Sequence, residues 1–232
     1  VENKPSLVLV ATPIGNLGDL SPRAIQALSN ADFWIVEDTR VSGKLQSHLG
    51  LSKPMRVFNE HTPIETLTKY LEQIKSGQTA ALLTDGGTPA ISDPGAILTD
   101  LCHQQGINVE AIPGPSAVTT ALMLSGFFAQ RFCFLGFLGR KPGDIRRELA
   151  PFADSPLTLV LFESPFRVKK LVETATSALG PRRYAITREL TKIHQQVWRG
   201  MLPALPDDAT LPRKGEITLV IEGRRSQKSV ET

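Results

Sequence analysis

Five short apolar runs in the first half of the chain alternate with helix-length amphipathic stretches, and this alternation restricts the fold more than any other feature. Residues 7–11, 33–36, 56–58, 79–84 and 109–112 read as strands. Between them, Ser21 and Pro22 open one helix. The Thr62-Pro63-Ile64-Glu65 capping box opens another, which runs to about Ser76 with Gly77 behind it. A third starts near Asp93-Pro94 and closes at Gly106. Strands separated by helices imply a mainly parallel sheet covered on both faces.

Pro113-Gly114-Pro115-Ser116 interrupts the pattern, and Ser116 can cap a helix of small residues over 117–125. Beyond it, strands are expected near 132–135, 157–162, 184–187, 195–199 and 217–221, and helices near 144–152 and 165–179. The late strands follow one another without helices, which points to a mixed sheet with antiparallel members. The expected organisation is an N-terminal α/β domain over 1–115, a C-terminal α/β domain over 116–225 and a polar tail over 226–232. A chain of 232 residues accommodates two such domains.

Several classes are excluded early. Cys102 and Cys133 are too few for a disulfide framework or a four-ligand zinc site. His48, His61, His103 and His194 are scattered, so no metal is expected. No apolar run approaches the ~18 residues of a membrane span, and residues 1–6 lack the basic and apolar regions of a signal peptide. The expected location is the cytoplasm.

The net charge of +3 is unevenly spread. Residues 1–115 hold 8 basic and 12 acidic side chains, a net of −4; residues 116–232 hold 18 and 11, a net of +7. Two explanations fit the basic half: an ordinary solvated surface, or a face turned to a polyanion such as nucleic acid. Arg140 and Lys141, in a loop between Gly139 and Gly143, are placed to reach a phosphate backbone. His61 stands out among the histidines because it directly precedes a helix.

Three Gly- and Pro-rich loops, residues 12–19, 85–95 and 113–116, each follow a predicted strand. Ligands of open parallel sheets bind beyond the carboxyl ends of the strands, so these loops mark one candidate rim. The loop after the first strand offers only Gly15-Asn16-Leu17-Gly18, not G-x-G-x-x-G, and no Walker-type P-loop occurs. A dinucleotide oxidoreductase and a P-loop NTPase are both disfavoured. Ser116 sits in Gly-Pro-Ser-Ala-Val, which is no nucleophile elbow. Glu37-Asp38-Thr39-Arg40 follows the second strand. Its carboxylates can orient a hydroxyl or take its proton, and Asp38 or Thr39 can equally cap the next helix with Arg40 paired to a carboxylate.

The ordered set Thr12–Asp19, Glu37–Arg40, Asp85–Gly95, Pro113–Ser116, Phe162-Glu163-Ser164, Arg188–Lys192 and Lys214-Gly215-Glu216 resembles the ribosomal RNA small subunit methyltransferase I family, within the tetrapyrrole (corrin/porphyrin) methylase superfamily. The resemblance runs from Leu7 to Gly223. It implies two α/β domains with S-adenosylmethionine in the cleft between them, 2′-O-methylation of a cytidine ribose in the decoding region of 16S rRNA, and a homodimer. It assigns Pro13, Ile14, Gly87, Thr88, Pro89, Ala90, Ile91, Ser116 and Ala117 to the cofactor, with Phe162, Glu163, Leu190 and Thr218 around adenine and ribose. Thr88 stands where the superfamily has the aspartate of Gly-Asp-Pro, as in its RNA-modifying branch, whose members often carry a further C-terminal helical segment.

On this basis Asp38 or Glu37 orients or deprotonates the ribose hydroxyl, and Arg40 positions a phosphate or the carboxylate. Arg140, Lys141 and His61 contact RNA, with His61 and Lys141 as reserve candidates for the base. Two alternatives remain: S-adenosylmethionine-dependent methylation of a tetrapyrrole precursor, and a non-enzymatic RNA-binding module with no affinity for the methyl donor.

Overall fold

Leu7, Val8 and Val10 are all buried, although successive side chains of a strand point to opposite faces. A strand covered on both sides belongs inside a parallel sheet flanked by helices, and that is its place in the computed structural model, which describes residues 6–207 and 212–225. The polar tail expected over 226–232 lies outside the described residues. The described chain forms two compact units that divide between Ser116 and Ala117.

The first unit contains β1 (Ser6–Val10), α1 (Pro22–Asn30), β2 (Phe33–Val36), α2 (Thr39–Leu49), β3 (Met55–Val57), α3 (Ile64–Lys75), β4 (Ala80–Leu82), α4 (Gly95–Gln104) and β5 (Asn108–Ile112). The strand order is β3-β2-β4-β1-β5 and every pair is parallel. Alternation along the strands sorts the core into two layers. Val8, Val10, Trp34 and Val36 meet Ala24 and Leu28 of α1 and Leu45 of α2. Leu7, Phe33 and Ile35 meet Leu67, Leu71 and Ile74 of α3 and Leu98 and Cys102 of α4. Burying such a side chain contributes roughly 1.5–3 kcal/mol, so both layers hold the sheet.

Local signals account for most boundaries. Ser21 accepts the Ala24 N–H at 3.1 Å with Pro22 behind it, and Gly50, at φ 64°, ends α2. The expected capping box of α3 does not form. Thr62 Oγ1 instead accepts the Asn59 N–H at 2.9 Å, and the helix starts at Ile64 without a side-chain cap.

The second unit contains α5 (Ala117–Ser125), β6 (Phe132–Phe137), α6 (Pro142–Leu149), β7 (Thr158–Glu163), α7 (Val168–Leu179), β8 (Arg183–Arg188), β9 (Gln196–Met201) and β10 (Ile217–Ile221). Its sheet, ordered β6-β7-β10-β8-β9, is mixed: β6 and β7 run parallel and the other pairs antiparallel. Leu159, Leu161, Tyr184, Ile186, Leu219 and Ile221 pack on α6 and α7. The alternate residues Val160, Ala185 and Val220, also buried, face the side covered by α5. The seventh helix begins at Val168, three residues later than Ser164-Pro165 suggests. Ser164 O accepts both the Arg167 and Val168 N–H groups in a turn before the helix.

Candidate active site

Because all strands of the first sheet are parallel, the segments following them lie along one edge. The loops after β1 and β4 are tied there. The Thr12 N–H donates to Gly87 O at 2.9 Å, the Gly87 N–H donates to Thr12 O at 3.0 Å, and the Thr12 hydroxyl donates to Thr84 O at 3.3 Å. At Gly87, with φ +96°, a Cβ would stand 3.4 Å from a methyl of Ile14; at Gly86 it would stand 3.3 Å from Pro13 O. Thr88 Oγ1 donates to Pro115 O at 3.2 Å. Pro13, Ile14, Gly87 and Thr88 are thereby brought together, next to the segment that ends in Ser116.

The continuation of this loop is held in an unfavourable backbone shape. Ala90 and Ser92 adopt φ of 65° and 64°, a left-handed conformation that costs a non-glycine residue of order 1 kcal/mol or more. Asp93 holds it in place: its Oδ1 accepts the Ala90 N–H at 2.9 Å and the Gly95 N–H at 2.6 Å. Burial pushes the Asp93 carboxyl above its ordinary pKa against the effect of these bonds. Pro89 is buried and Ile91 is exposed at the tip of the loop.

The helices that follow β2 and β4, which are neighbours in the sheet, lie on opposite faces. Such a switch opens a crevice at the carboxyl ends of the two strands. Its walls are acidic. The Thr84 hydroxyl donates to Glu37 Oε1, and the Asp38 backbone N–H donates to the Asp85 carboxylate. Desolvation raises the Asp85 pKa, and the carboxylates of Glu37 and Asp38 raise it further. Asp38 does the reverse. Hydrogen bonds from the Arg40 side chain and backbone hold it at about 2. Asp38 also caps α2 through the Arg40 N–H at 2.8 Å, so helix capping and ion pairing occur together. His61, beyond β3, is exposed and 3.5 Å from Glu60 Oε1.

The remaining candidates belong to the second unit and share one end of its sheet. Phe162 pairs with Thr218, which pairs on its other side with Thr187; Ile217 pairs with Glu163. Leu190 follows β8 and is buried. Phe162 meets the rings of Phe134 and Phe137, with centroids 4.9 and 5.5 Å away. Glu163 Oε1 accepts the Ser164 N–H at 2.7 Å and lies 3.3 Å from Arg167 Nε; burial raises its pKa. Arg167 also donates to Leu138 O and Gly139 O, which fixes the start of the loop bearing exposed Arg140 and Lys141 at that end. Ala117 begins α5.

Thr84, Asp85 and Asp93 are not among the site residues that the sequence suggests, although Asp85 and Asp93 bound the 85–95 loop. The signal for the two aspartates lies in Asp85-Gly-Gly and Asp93-Pro-Gly, carboxylates beside residues that leave backbone N–H groups accessible. Among the described residues no group of three or more His, Cys, Asp or Glu is arranged to hold a metal ion, and no helix is long and apolar enough to cross a membrane.

Residues 6–206 match the family described as tetrapyrrole (corrin/porphyrin) methylases. A Synechocystis protein named ribosomal RNA small subunit methyltransferase I is 41% identical over 94% of this chain and 78% of its own length. The Mycobacterium bovis protein of that name is 44% identical over 94% of this chain and 77% of its own. The crystal structure of the methyltransferase CobJ superposes with a TM-score of 0.69 over 95% of this chain and 96% of its own, at 16% identity, a likeness of fold.

Proposed function

The chain belongs to the tetrapyrrole (corrin/porphyrin) methylase family, alongside the proteins named ribosomal RNA small subunit methyltransferase I, and from that premise we propose that it methylates 16S rRNA with S-adenosylmethionine, at the 2′-oxygen of a cytidine in the decoding region. The observation that carries this is identity of 41–44%, over 94% of this chain and 77–78% of their own length, to relatives that bear the rRNA name. The solved neighbour at 16% identity speaks only for the fold.

The first unit suits the methyl donor chemically. A sulfonium and an ammonium are cations, and the crevice carries Glu37, Asp38 and Asp85 against Arg40. Thr88, Pro89, Ala90 and Ile91, stiffened by Asp93, form a lip next to Pro13 and Ile14. We assign the cofactor to these residues with Ser116 and Ala117, and its adenosine to Phe162, Glu163, Leu190 and Thr218 of the second unit. When bound, S-adenosylmethionine supplies an activated methyl group that needs no further activation by the protein.

What the chain must supply is alignment and a place for the hydroxyl proton. Alignment of nucleophile and donor is worth several kcal/mol. A ribose hydroxyl becomes a competent nucleophile as its proton is accepted, typically worth 10²–10⁴-fold. Asp38, held by Arg40, is a weak acceptor and serves to orient. Glu37, hydrogen-bonded to Thr84, and Asp85 beside it are the groups that take the proton. Arg40, Arg140, Lys141 and His61 meet phosphates. The protein acts on soluble substrate in the cytoplasm as a homodimer.

The test is methyl transfer from labelled S-adenosylmethionine to assembled small subunits, to naked 16S rRNA and to a porphyrinogen. Label on the 2′-oxygen of one cytidine is the expected result. Transfer only to the porphyrinogen would replace the RNA substrate by a tetrapyrrole. Absence of both transfer and donor binding would leave an RNA-binding module.

A further inference from the structure

The turn that follows α5 carries two adjacent phenylalanines, and three arginines from three other segments converge on them. Phe127 is buried, with the Arg183 guanidinium 5.3 Å and the Arg199 guanidinium 4.9 Å from its ring centroid. Phe128 is 45% exposed, and Arg225 lies over its ring at 4.3 Å. Arg183 opens β8, Arg199 is on the edge strand β9, and Arg225 follows β10.

The charges at this turn do not cancel. Glu222 takes Arg183 in a two-pronged pair, Nε at 2.7 Å and Nη2 at 2.6 Å, and lies 3.6 Å from Arg225 Nε. Arg224 pairs separately with Asp154. Arg199 is exposed and forms no ion pair among the described residues. One carboxylate thus pairs with two of the three guanidiniums, and the Arg199 charge is left uncompensated. Phe132 and Met201 are also exposed at this end of the sheet. A half-exposed aromatic ring beside guanidinium planes is the equipment for stacking unpaired bases, and the unpaired guanidinium of Arg199 suits a phosphate. A solvated basic surface needs no rings beneath its charges.

We infer that Phe128, Arg199, Arg183 and Arg225 form a contact site for single-stranded or looped RNA on the second unit. It lies at the opposite end of that sheet from Glu163 and Thr218, about 17 Å along the strands. The site rests on the methyltransferase assignment above and adds to it a grip on the substrate remote from the adenosine-binding residues. A large RNA fixed at a distant point loses less entropy when its target nucleotide is aligned.

The experiment measures binding of a 16S rRNA transcript across a salt series, alongside affinity for S-adenosylmethionine, sedimentation and thermal melting. Arg199→Ala is expected to weaken RNA binding several-fold and to lower the slope of log K against log salt by about 0.7–0.9, the share of one phosphate. Arg199→Lys is expected to restore the slope but not the full affinity, because an ammonium cannot lie flat on a ring or a base. Phe128→Leu, which keeps the turn apolar, is expected to cost roughly tenfold with the slope unchanged. Donor affinity and melting stay as in the wild type. Wild-type RNA affinity in all three variants, with the parent methylating small subunits normally, overturns the contact site and spares the methyltransferase assignment. Altered sedimentation with unaltered RNA affinity also overturns it, making this turn a contact between copies of the chain. A parent that neither binds nor methylates RNA removes both.

Discussion

Arg40 lays its guanidinium across both oxygens of the Asp38 carboxylate. Nε stands 3.1 Å from each oxygen and Nη2 2.5 Å from Oδ2, while the Arg40 backbone N–H is donated to Oδ1 at 2.8 Å. The carboxylate is thus saturated by one neighbour and held at about 2, against an ordinary value of 3.8. Because the folded value lies below the unfolded one, the stabilisation is present above the ordinary value and is lost as pH falls towards 2. In a carbon-detected titration, Arg40→Gln should raise the Asp38 midpoint from about 2 towards 3.8, the backbone N–H keeping part of the depression. An unchanged midpoint would show that the backbone N–H alone depresses it.

Asp85 has the opposite sign. Its folded pKa is raised by desolvation and by Glu37 and Asp38, so the folded state binds its proton more tightly than the unfolded chain. That contribution favours folding at low pH and is lost as pH rises through the raised value. Asp85→Asn is therefore expected to melt slightly higher than the parent at pH 7, while single-turnover methylation falls by roughly 10²-fold or more. Melting scans at pH 3 and pH 7 separate the two effects, since the stability gain should fade as pH falls below the ordinary value of 3.8.

Asp93 and Gly95 act as one device. A Cβ on Gly95 would lie 2.7 Å from Asp93 Oδ1 and 3.1 Å from the Ala90 nitrogen, in the middle of the clamp. Asp93→Ala and Gly95→Ala should each cost about 1–3 kcal/mol in urea unfolding. Each should also weaken S-adenosylmethionine binding measured by calorimetry. Asp93→Asn, which keeps an acceptor oxygen, should cost less than half as much. Equal losses for Asn and Ala would mean that the negative charge, not the oxygen, holds the loop.

In the second unit the Trp198 ring lies over Gly200 on β9, where a Cβ would come within 2.1 Å of it, and meets Tyr184 edge-on at 5.2 Å. Gly200→Ala must push the indole off this seat. A loss of roughly 1–3 kcal/mol is expected, with a shift of tryptophan emission that Trp34, buried in the other unit, does not share. Emission recorded in a Trp34→Phe background isolates the signal.

Much of this arrangement was legible before any coordinates. The strand–helix alternation of the first unit follows from apolar periodicity, and Ser21-Pro22 and Gly77 mark helix ends by local chemistry. The Thr62 cap misled because its hydroxyl oxygen had a closer claimant in the Asn59 N–H. The acidic crevice was only half visible: Glu37 and Asp38 stand out as a tetrapeptide, whereas Thr84 reaches Glu37 across 47 positions of sequence. That meeting depends on β2 lying beside β4, which no local pattern encodes. The turn at Phe127 and Phe128 was hidden for the same reason, since its arginines come from three separate segments.

Each hydrophobic cluster closes within its own half of the chain: two layers before Ser116 and one after Ala117. A lineage can therefore redraw one half without repacking the interior of the other. The carboxylate-lined crevice and its clamped loop are encoded wholly upstream of that junction, the stacking turn and its arginines wholly downstream. Selection for a new methyl acceptor has a separate stretch of gene on which to work, and crossovers placed at codons 116 and 117 are where chimaeras of this family should most readily fold.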